Sequence, residues 1–402
     1  MPIIDPVKLS QKLIKCKSVT PADDGALDTL ESALMALDFE CTRLPFQEEG
    51  TEKVDNLYAR LGTKSPNLCF AGHTDVVPIG DESAWAVEPF AAEIIDTEQN
   101  PLDFLPPASE NSDLNKHLVG RGAVDMKPAI AAWISAISEF KKEHSDFNGS
   151  ISLLITGDEE AEAINGTIKV LQWLEEKGEK LDACIVGEPT NPNELGEMVK
   201  IGRRGSLSFT LTVNGIQGHV AYPDKADNPV TKIIKMLHNL NSHHLDKGSD
   251  FFPPSNLEVT SIDVGNTATN VIPAKASAMF NVRFNDKFTR EKLIKLVRAQ
   301  CDQVSTQYIL EHEGGSESFL TEPGFLSQSV SEAVKYVTNK TPELSTTGGT
   351  SDARFIKDYC PVVEFGLINT TAHHVNENIR VNDIIKLKDI YKNTISRYFK
   401  VK

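Results

Sequence analysis

"LLITGDEEAE", Leu153–Glu162, is an apolar run of β type that ends in four acids within five positions. Two unit charges 4 Å apart near a protein surface interact by about 4 kcal/mol at an effective dielectric of about 20, so the cluster needs an offset. Two readings supply one. A helix beginning at Asp158, Glu159 and Glu160 would set the acids against its positive N-terminus and in water. A cation site would neutralise them directly, and it requires ligands from elsewhere in the chain. The buried strand is common to both readings. Similar runs, "NLCFAGHTDVV" and "DACIVGEP", alternate with helical patterns such as Ile130, Trp133, Ile134, Ile137 and Phe140 at three-and-four spacing. Strands alternating with helices define an α/β protein.

The chain has 402 residues, 40% of them hydrophobic, which is enough for a large core and two or three domains. Its 57 acids against 41 bases give a formal charge of −16. That balance disfavours nucleic acid and anionic membranes as partners and favours metal cations or a small-molecule substrate. The start, "MPIIDPVKLSQKLIK", lacks the apolar core of a signal peptide; Asp5 stands as an N-cap with Pro6 at the first helical position. No run reaches the roughly 18 apolar residues of a membrane span. Cys16, Cys41, Cys69, Cys184, Cys301 and Cys360 are scattered without CxxC pairs, the pattern of reduced thiols in a cytoplasmic protein.

From about Gly205 the pattern becomes strand ("SLSFTLTVNG"), helix ("PVTKIIKMLHNL"), two strands ("LEVTSIDVG", "ASAMFNVRFN"), helix ("REKLIKLVRAQ") and strand ("QYILEHE"). This βαββαβ order is that of a split βαβ domain of ferredoxin-like type. After Phe319 the α/β alternation resumes. The expected organisation is therefore one α/β domain over 1–204 and 317–402, with a smaller domain inserted at 205–316. The polar stretch "EQNPLDFLPPASENSDLNKH", Glu98–His117, is expected to be a mobile surface excursion.

Five segments near strand ends carry metal-ligating types: "AGHTD" with His73 and Asp75, "GRGAVDMK" with Asp125, "TGDEE" with Glu159 and Glu160, "VGEPT" with Glu188, and "NTTAHHVNE" with His373 and His374. In parallel α/β sheets ligands gather at the carboxyl ends of strands, so distant segments can converge. His73 and Asp75, two apart in extended chain, face one side, where the aspartate can hold the imidazole in one tautomer. Taken alone, Asp125 also reads as an N-cap of the helix beginning "MKPAIAAW". Adjacent His373 and His374 cannot both point one way. His243 and His244, at the end of an amphipathic helix, read as surface residues.

These motifs, together with "GRRGS", "GIQGHVAYP", "NVIPA" and "GGTSDARF" in this order, make the chain resemble the co-catalytic zinc aminoacylases and exopeptidases over nearly its whole length. The resemblance implies a zinc-exopeptidase-like catalytic domain carrying an inserted ferredoxin-like dimerisation (lid) domain, and a homodimer. It implies two zinc ions per subunit, with cobalt or manganese as substitutes. Asp125 would bridge them, His73 and Glu188 would complete one site, and Glu160 and His373 the other. Glu159 would be the general base beside Asp75, and His219 an oxyanion donor from the partner subunit. Arg203, Ser206, Tyr222, Asn270, Thr350 and Asn369 would contact substrate. The implied activity is amide hydrolysis of an acylated amino acid, succinyl before acetyl; a small carboxypeptidase and a non-catalytic binder on the same fold are the rivals. Four acids would then face four positive charges. Pro128 and Ala161 stand where relatives usually carry glycine, Thr269 replaces an asparagine, and 98–116 looks inserted.

Overall fold

The structure, a computed structural model, describes residues 2–107 and 109–401. Its contacts divide the chain into two compact units, one of Met1–Ile201, Thr321–Ser345 and Ser351–Lys402, the other of Gly202–Leu320 and Thr346–Thr350. The segment Thr346–Thr350, in the Gly-rich stretch after 317, thus groups with the smaller unit.

The α/β expectation holds in the larger unit. An eight-stranded mixed sheet runs in the order Glu40–Phe46, Val54–Leu61, Ser150–Thr156, Asn67–His73, Ala183–Val186, Val362–Glu364, Met198–Lys200, Glu343–Ser345. The central strands Ser150–Thr156 and Asn67–His73 are buried at every position, which is why they read as continuous apolar runs rather than as alternation. They pair in parallel, with His73 opposite Thr156, and Ala183–Val186 joins on the other side, also parallel. Against the sheet lie the helices Lys127–Glu143 and Val381–Tyr398. Phe70 stacks on Trp133 at 4.9 Å between ring centroids, and Tyr391 meets both rings edge-on. The Tyr391 hydroxyl donates to the Phe365 carbonyl at 2.6 Å, so this fully buried tyrosine keeps its polar end satisfied. The first helix, Pro6–Lys15, is capped by Asp5, whose carboxylate accepts from the Val7 and Lys8 amides.

Two glycines set the geometry of the functional end. A Cβ on Gly72 or on Gly187 would stand 2.6 Å from the Met126 Cε, so only bare backbone admits the Met126 thioether between these strand ends. Met126 is fully buried there, and Asp125 beside it stands 3.0 Å from His73. Asp125 itself follows the strand Lys116–Val119, which belongs to a separate three-stranded sheet with Glu93–Asp96 and Asn378–Arg380.

The excursion expected to be mobile is anchored. Leu102, Phe104 and Leu105 pack with Ile95 and Val119, and Asn115 bonds back to the Ser109 backbone. Three apolar side chains in an otherwise polar stretch were the signal for this; Ala108 lies outside the described residues.

The smaller unit is a four-stranded antiparallel sheet ordered Asn256–Asp263, Lys275–Phe284, Gly205–Asn214, Ile309–Glu313. With the helices Pro229–Ser242 and Arg290–Asp302 between strands, this is the split βαβ arrangement. Inward residues alternate along the central strands: Leu207, Phe209, Leu211 and Val213 face Ala276, Ala278, Phe280, Val282 and Phe284, with Ile233, Met236, Leu293 and Val297 from the helices. All six cysteines are free thiols. Among the described residues no helix is long and apolar enough to cross a membrane.

Candidate metal centre

Side chains from five segments of the larger unit meet near the ends of the parallel strands. His73 Nε2 lies 3.0 Å from Asp125 Oδ1 and 3.7 Å from Glu188 Oε1. His373 Nε2 lies 3.3 Å from Asp125 Oδ2 and 2.9 Å from Glu160 Oε1. The two oxygens of Asp125 therefore face different histidines. Ligand atoms of His73, Asp125 and Glu160 fall within 4.8 Å of one another, as do those of His73, Glu159 and Glu188. His374 is exposed and turns away, contributing its carbonyl to Arg121.

The strand Ser150–Thr156 does not run into a helix. "GDEEAE" is a loop, and the next helix starts at Thr167. Asp158 stays out of the cluster and shapes this loop, its carboxylate accepting from the Ala163 and Asn165 amides at 3.3 and 2.8 Å. Asp125 is not a helix cap either, because the N-cap position belongs to Met126.

Asp75 acts differently from the sequence expectation. The nearest partner of His73 Nδ1 is the Asp75 backbone carbonyl, 2.9 Å away, with the carboxylate at 3.6 Å. That carbonyl accepts from Nδ1 and leaves Nε2 facing Asp125 and Glu188. The Asp75 carboxylate instead accepts the Glu159 and Glu160 amides at 3.3 and 3.0 Å. It sets the height of both glutamates over the strand ends.

The electrostatics follow from this crowding. Burial raises the proton affinity of Glu188, and the charges of Asp125 and Glu159 raise it further. Glu159 is also raised well above the usual carboxylate range, by burial and by Asp352, Glu160 and Asp125, against the opposing pull of His73. Burial pushes Asp75 up to about 6, although His73 and the two glutamate amides lower it. Burial works against Asp125 too, but hydrogen bonds from His373 and His73 hold it below the usual range. His373 is pushed up to about 10 by its bonds to Asp125 and Glu160. The set draws positive charge. Glu188 Oε1 is buried without a hydrogen-bond partner, and two imidazoles with four carboxylates are the donor chemistry of a zinc, manganese or cobalt site. The residues fit divalent cations.

Sequence reasoning missed Asp352, Arg121 and Glu377. Asp352 of "GGTSDARF" is buried with one carboxylate oxygen unpartnered. Arg121 and Glu377 form a buried ion pair beside two ligand motifs. Charged residues flanking the motifs in "GRGAVD" and "HHVNE" were the available signal.

Of the remaining residues singled out in the sequence, Asn369 belongs to the larger unit and the others to the smaller one. Asn369 is exposed in the larger unit, where its amide donates to the Asn191 carbonyl. In the smaller unit, exposed His219 and Tyr222 have ring centroids 5.8 Å apart, and the Asn270 carbonyl accepts the Val220 amide. His219 Nδ1 accepts the Ala221 amide at 3.0 Å, which leaves the ring proton on Nε2. Arg203 is buried; its guanidinium donates to the Thr347 carbonyl, and Gly348 gives it room, since a Cβ there would stand 2.5 Å from Nη1. The Ser206 hydroxyl accepts from the Asn281 side chain, and Thr350 is half-buried.

Histidines and carboxylates converging over parallel strand ends define a metal-dependent hydrolase of α/β type, and the chain belongs to peptidase family M20/M25/M40, which matches residues 69–397. The succinyl-diaminopimelate desuccinylase of Rhodospirillum centenum is 55% identical over 395 residues, covering 98% of this chain and 97% of that one. That of Ehrlichia canis is 48% identical over 99% of both chains. Among solved structures, an M20 family metallo-carboxypeptidase from Sulfolobus solfataricus superposes with a TM-score of 0.73 at 18% identity, over 99% of this chain and 100% of that one. A dinuclear metal-binding peptidase of the M20 family from Bacillus subtilis gives 0.64 at 14%, over 98% of this chain and 96% of that one.

Proposed function

We propose that the protein is a dinuclear zinc amidohydrolase that cleaves N-succinyl-L,L-2,6-diaminopimelate to succinate and L,L-2,6-diaminopimelate. The observation carrying the chemistry is Asp125, whose two oxygens face two histidines, each with its own further carboxylate. The acyl group rests on the relatives, similar over nearly the whole chain. The product feeds lysine and cell-wall synthesis in the cytoplasm, where six free thiols are at home.

His73, Glu188 and Asp125 would hold one cation, and Glu160, His373 and Asp125 the other. A pair of bound cations supplies Lewis acidity to the amide carbonyl and acidifies water. Glu159 takes a proton from the attacking water. When the carbon–nitrogen bond breaks, Glu159 returns that proton to the leaving amine. Burial raises the proton affinity of Glu159, which favours its acting as the proton acceptor. His219, with its proton on Nε2, donates to the developing oxyanion from the partner subunit of a homodimer. Tyr222 and Asn270 beside it, with Ser206, Thr350 and Asn369, contact substrate, and Arg203 pairs with the succinyl carboxylate.

Three measurements test this reading. Elemental analysis should find two metal ions per chain; saturation at one with full activity would leave only a mononuclear hydrolase. Mixing inactive His219→Ala and Glu159→Gln subunits should restore one working site per mixed dimer, and no recovery after verified exchange would confine His219 to its own chain. Charged hydrogen bonds contribute about 1.5 to 3 kcal/mol, so Arg203→Ala should cut kcat/KM for the succinyl substrate by about one to two orders of magnitude. Acetylated analogues should lose less. Equal losses would remove Arg203 as the succinyl reader, and preference for an acetylated substrate by the unmutated enzyme would overturn the acyl assignment.

A further inference from the structure

Arg121 and Glu377 take no part in the reaction above, yet they are 2% and 0% exposed and pair at 2.8 Å. A buried ion pair offsets its own desolvation only when its remaining donors and acceptors are well satisfied. Here Arg121 Nε stays without a hydrogen-bond partner, and the bonds that the pair does make have a direction. Glu377 Oε1 accepts the amides of Val124 and Asp125 at 2.7 and 3.1 Å, and Oε2 accepts that of Gly122 at 3.1 Å as well as the guanidinium. The Glu377 carbonyl accepts the Gly120 amide at 2.9 Å. One residue thus organises the whole turn that ends in Asp125.

The guanidinium reaches the other way. Nη1 also donates to the His374 carbonyl at 3.2 Å, and Nη2 to the carbonyls of Pro78 and His373 at 3.2 and 3.4 Å. These belong to the segments that follow His73 and carry His373. His373 itself has φ of +64°, a left-handed conformation that a non-glycine residue keeps only where its surroundings enforce it. The bond from Arg121 to its carbonyl is part of that enforcement. Every side-chain hydrogen bond described for the pair, apart from its own, ends on backbone of three segments that carry or adjoin the cluster.

We infer that Arg121 and Glu377 are positioning residues that hold the Asp125 turn against the His373 loop, fixing the two Asp125 oxygens where one carboxylate can serve two cations. This rests on the dinuclear reading. No hydrogen bond or ion pair described for the two side chains reaches a ligand side chain; beyond the pair itself they end on backbone, with the Arg121 guanidinium 5.3 Å from the Trp85 ring centroid.

The test is Co(II) titration of chelator-treated protein, followed by visible absorption and equilibrium dialysis, for wild type, Glu377→Gln and Arg121→Lys, with folding checked by circular dichroism. Glu377→Gln keeps the shape but replaces one acceptor oxygen with a donor facing backbone amides. Arg121→Lys keeps the charge but cannot span three carbonyls. Both should bind the second ion about 10- to 100-fold more weakly, the range that loss of an outer partner costs a metal site, with a changed cobalt spectrum. At saturating cobalt, kcat should fall while KM stays nearly constant. Variants that fold and bind two ions with wild-type affinity and spectrum would overturn the inference and leave the dinuclear reading standing. Wild-type protein that binds fewer than two ions would overturn both. Failure of both variants to fold even in the cold would make the pair a folding element and overturn the inference alone.

Discussion

Glu159→Gln is expected to lower kcat by about two to four orders of magnitude, the range general acid–base catalysis contributes, while metal content stays at the wild-type level. That loss corresponds to about 3 to 5 kcal/mol of transition-state stabilisation. Glutamine keeps the size and much of the hydrogen bonding of glutamate but cannot carry the proton from water to the leaving amine. The backbone should hold, because the Glu159 and Glu160 amides are fixed by the Asp75 carboxylate whatever the side chain at 159. The experiment also separates two neighbouring glutamates that distance alone leaves exchangeable. Glu160 groups with His73 and Asp125, and Glu159 with His73 and Glu188. A cation ligand replaced by amide would lose metal; a base would lose turnover only. Near-normal turnover by the variant, or loss of an ion from it, would show that the two glutamates exchange roles.

The parts of this site that were legible in the sequence are those with a local signature. Ser150–Thr156 and Asn67–His73 are buried on both faces, so their burial is written as unbroken apolar runs, and acids or histidines at their ends stand out against that background. The smaller unit was legible because its strands alternate inward and outward, with helical spacing between them. What escaped reading depends on long-range bonds between side chains and backbone, which leave no periodicity. Asp75 reaches amides 84 and 85 positions away, and Glu377 reaches amides more than 250 positions away. A backbone amide looks the same at every residue, so no residue type at the far end betrays such a bond. The notch between Gly72 and Gly187 that seats Met126 is equally silent, since each glycine reads as an ordinary turn residue. Anchoring of the 98–116 excursion escaped for a different reason: Leu102, Phe104 and Leu105 are too few to outweigh their polar surroundings by composition.

Asp125→Ala should abolish activity by removing the metals rather than the base. The carboxylate stands beside both histidines, at 3.0 Å from His73 and 3.3 Å from His373 through different oxygens. It is also held anionic by those two imidazoles despite its burial, whereas Glu188 and Glu159 are driven towards the protonated form. Alanine leaves His73 with Glu188, and His373 with Glu160, as two separate pairs, each short of the four ligands that zinc prefers. Affinity for both ions should fall by about a hundredfold or more, the upper end of what loss of a mere outer partner costs. A thermal readout makes the result independent of turnover. A ligand at about 100 times its dissociation constant stabilises the folded state by about 2.7 kcal/mol, so added zinc should raise the Tm of the wild-type protein and leave that of the variant almost unmoved. The contrast with Glu159→Gln is the decisive one: that variant should keep the zinc-dependent rise and lose turnover, whereas Asp125→Ala should lose both. An Asp125→Ala protein that still binds two ions and still gains Tm with zinc would remove Asp125 as the shared ligand, and with it the dinuclear mechanism built on its two oxygens.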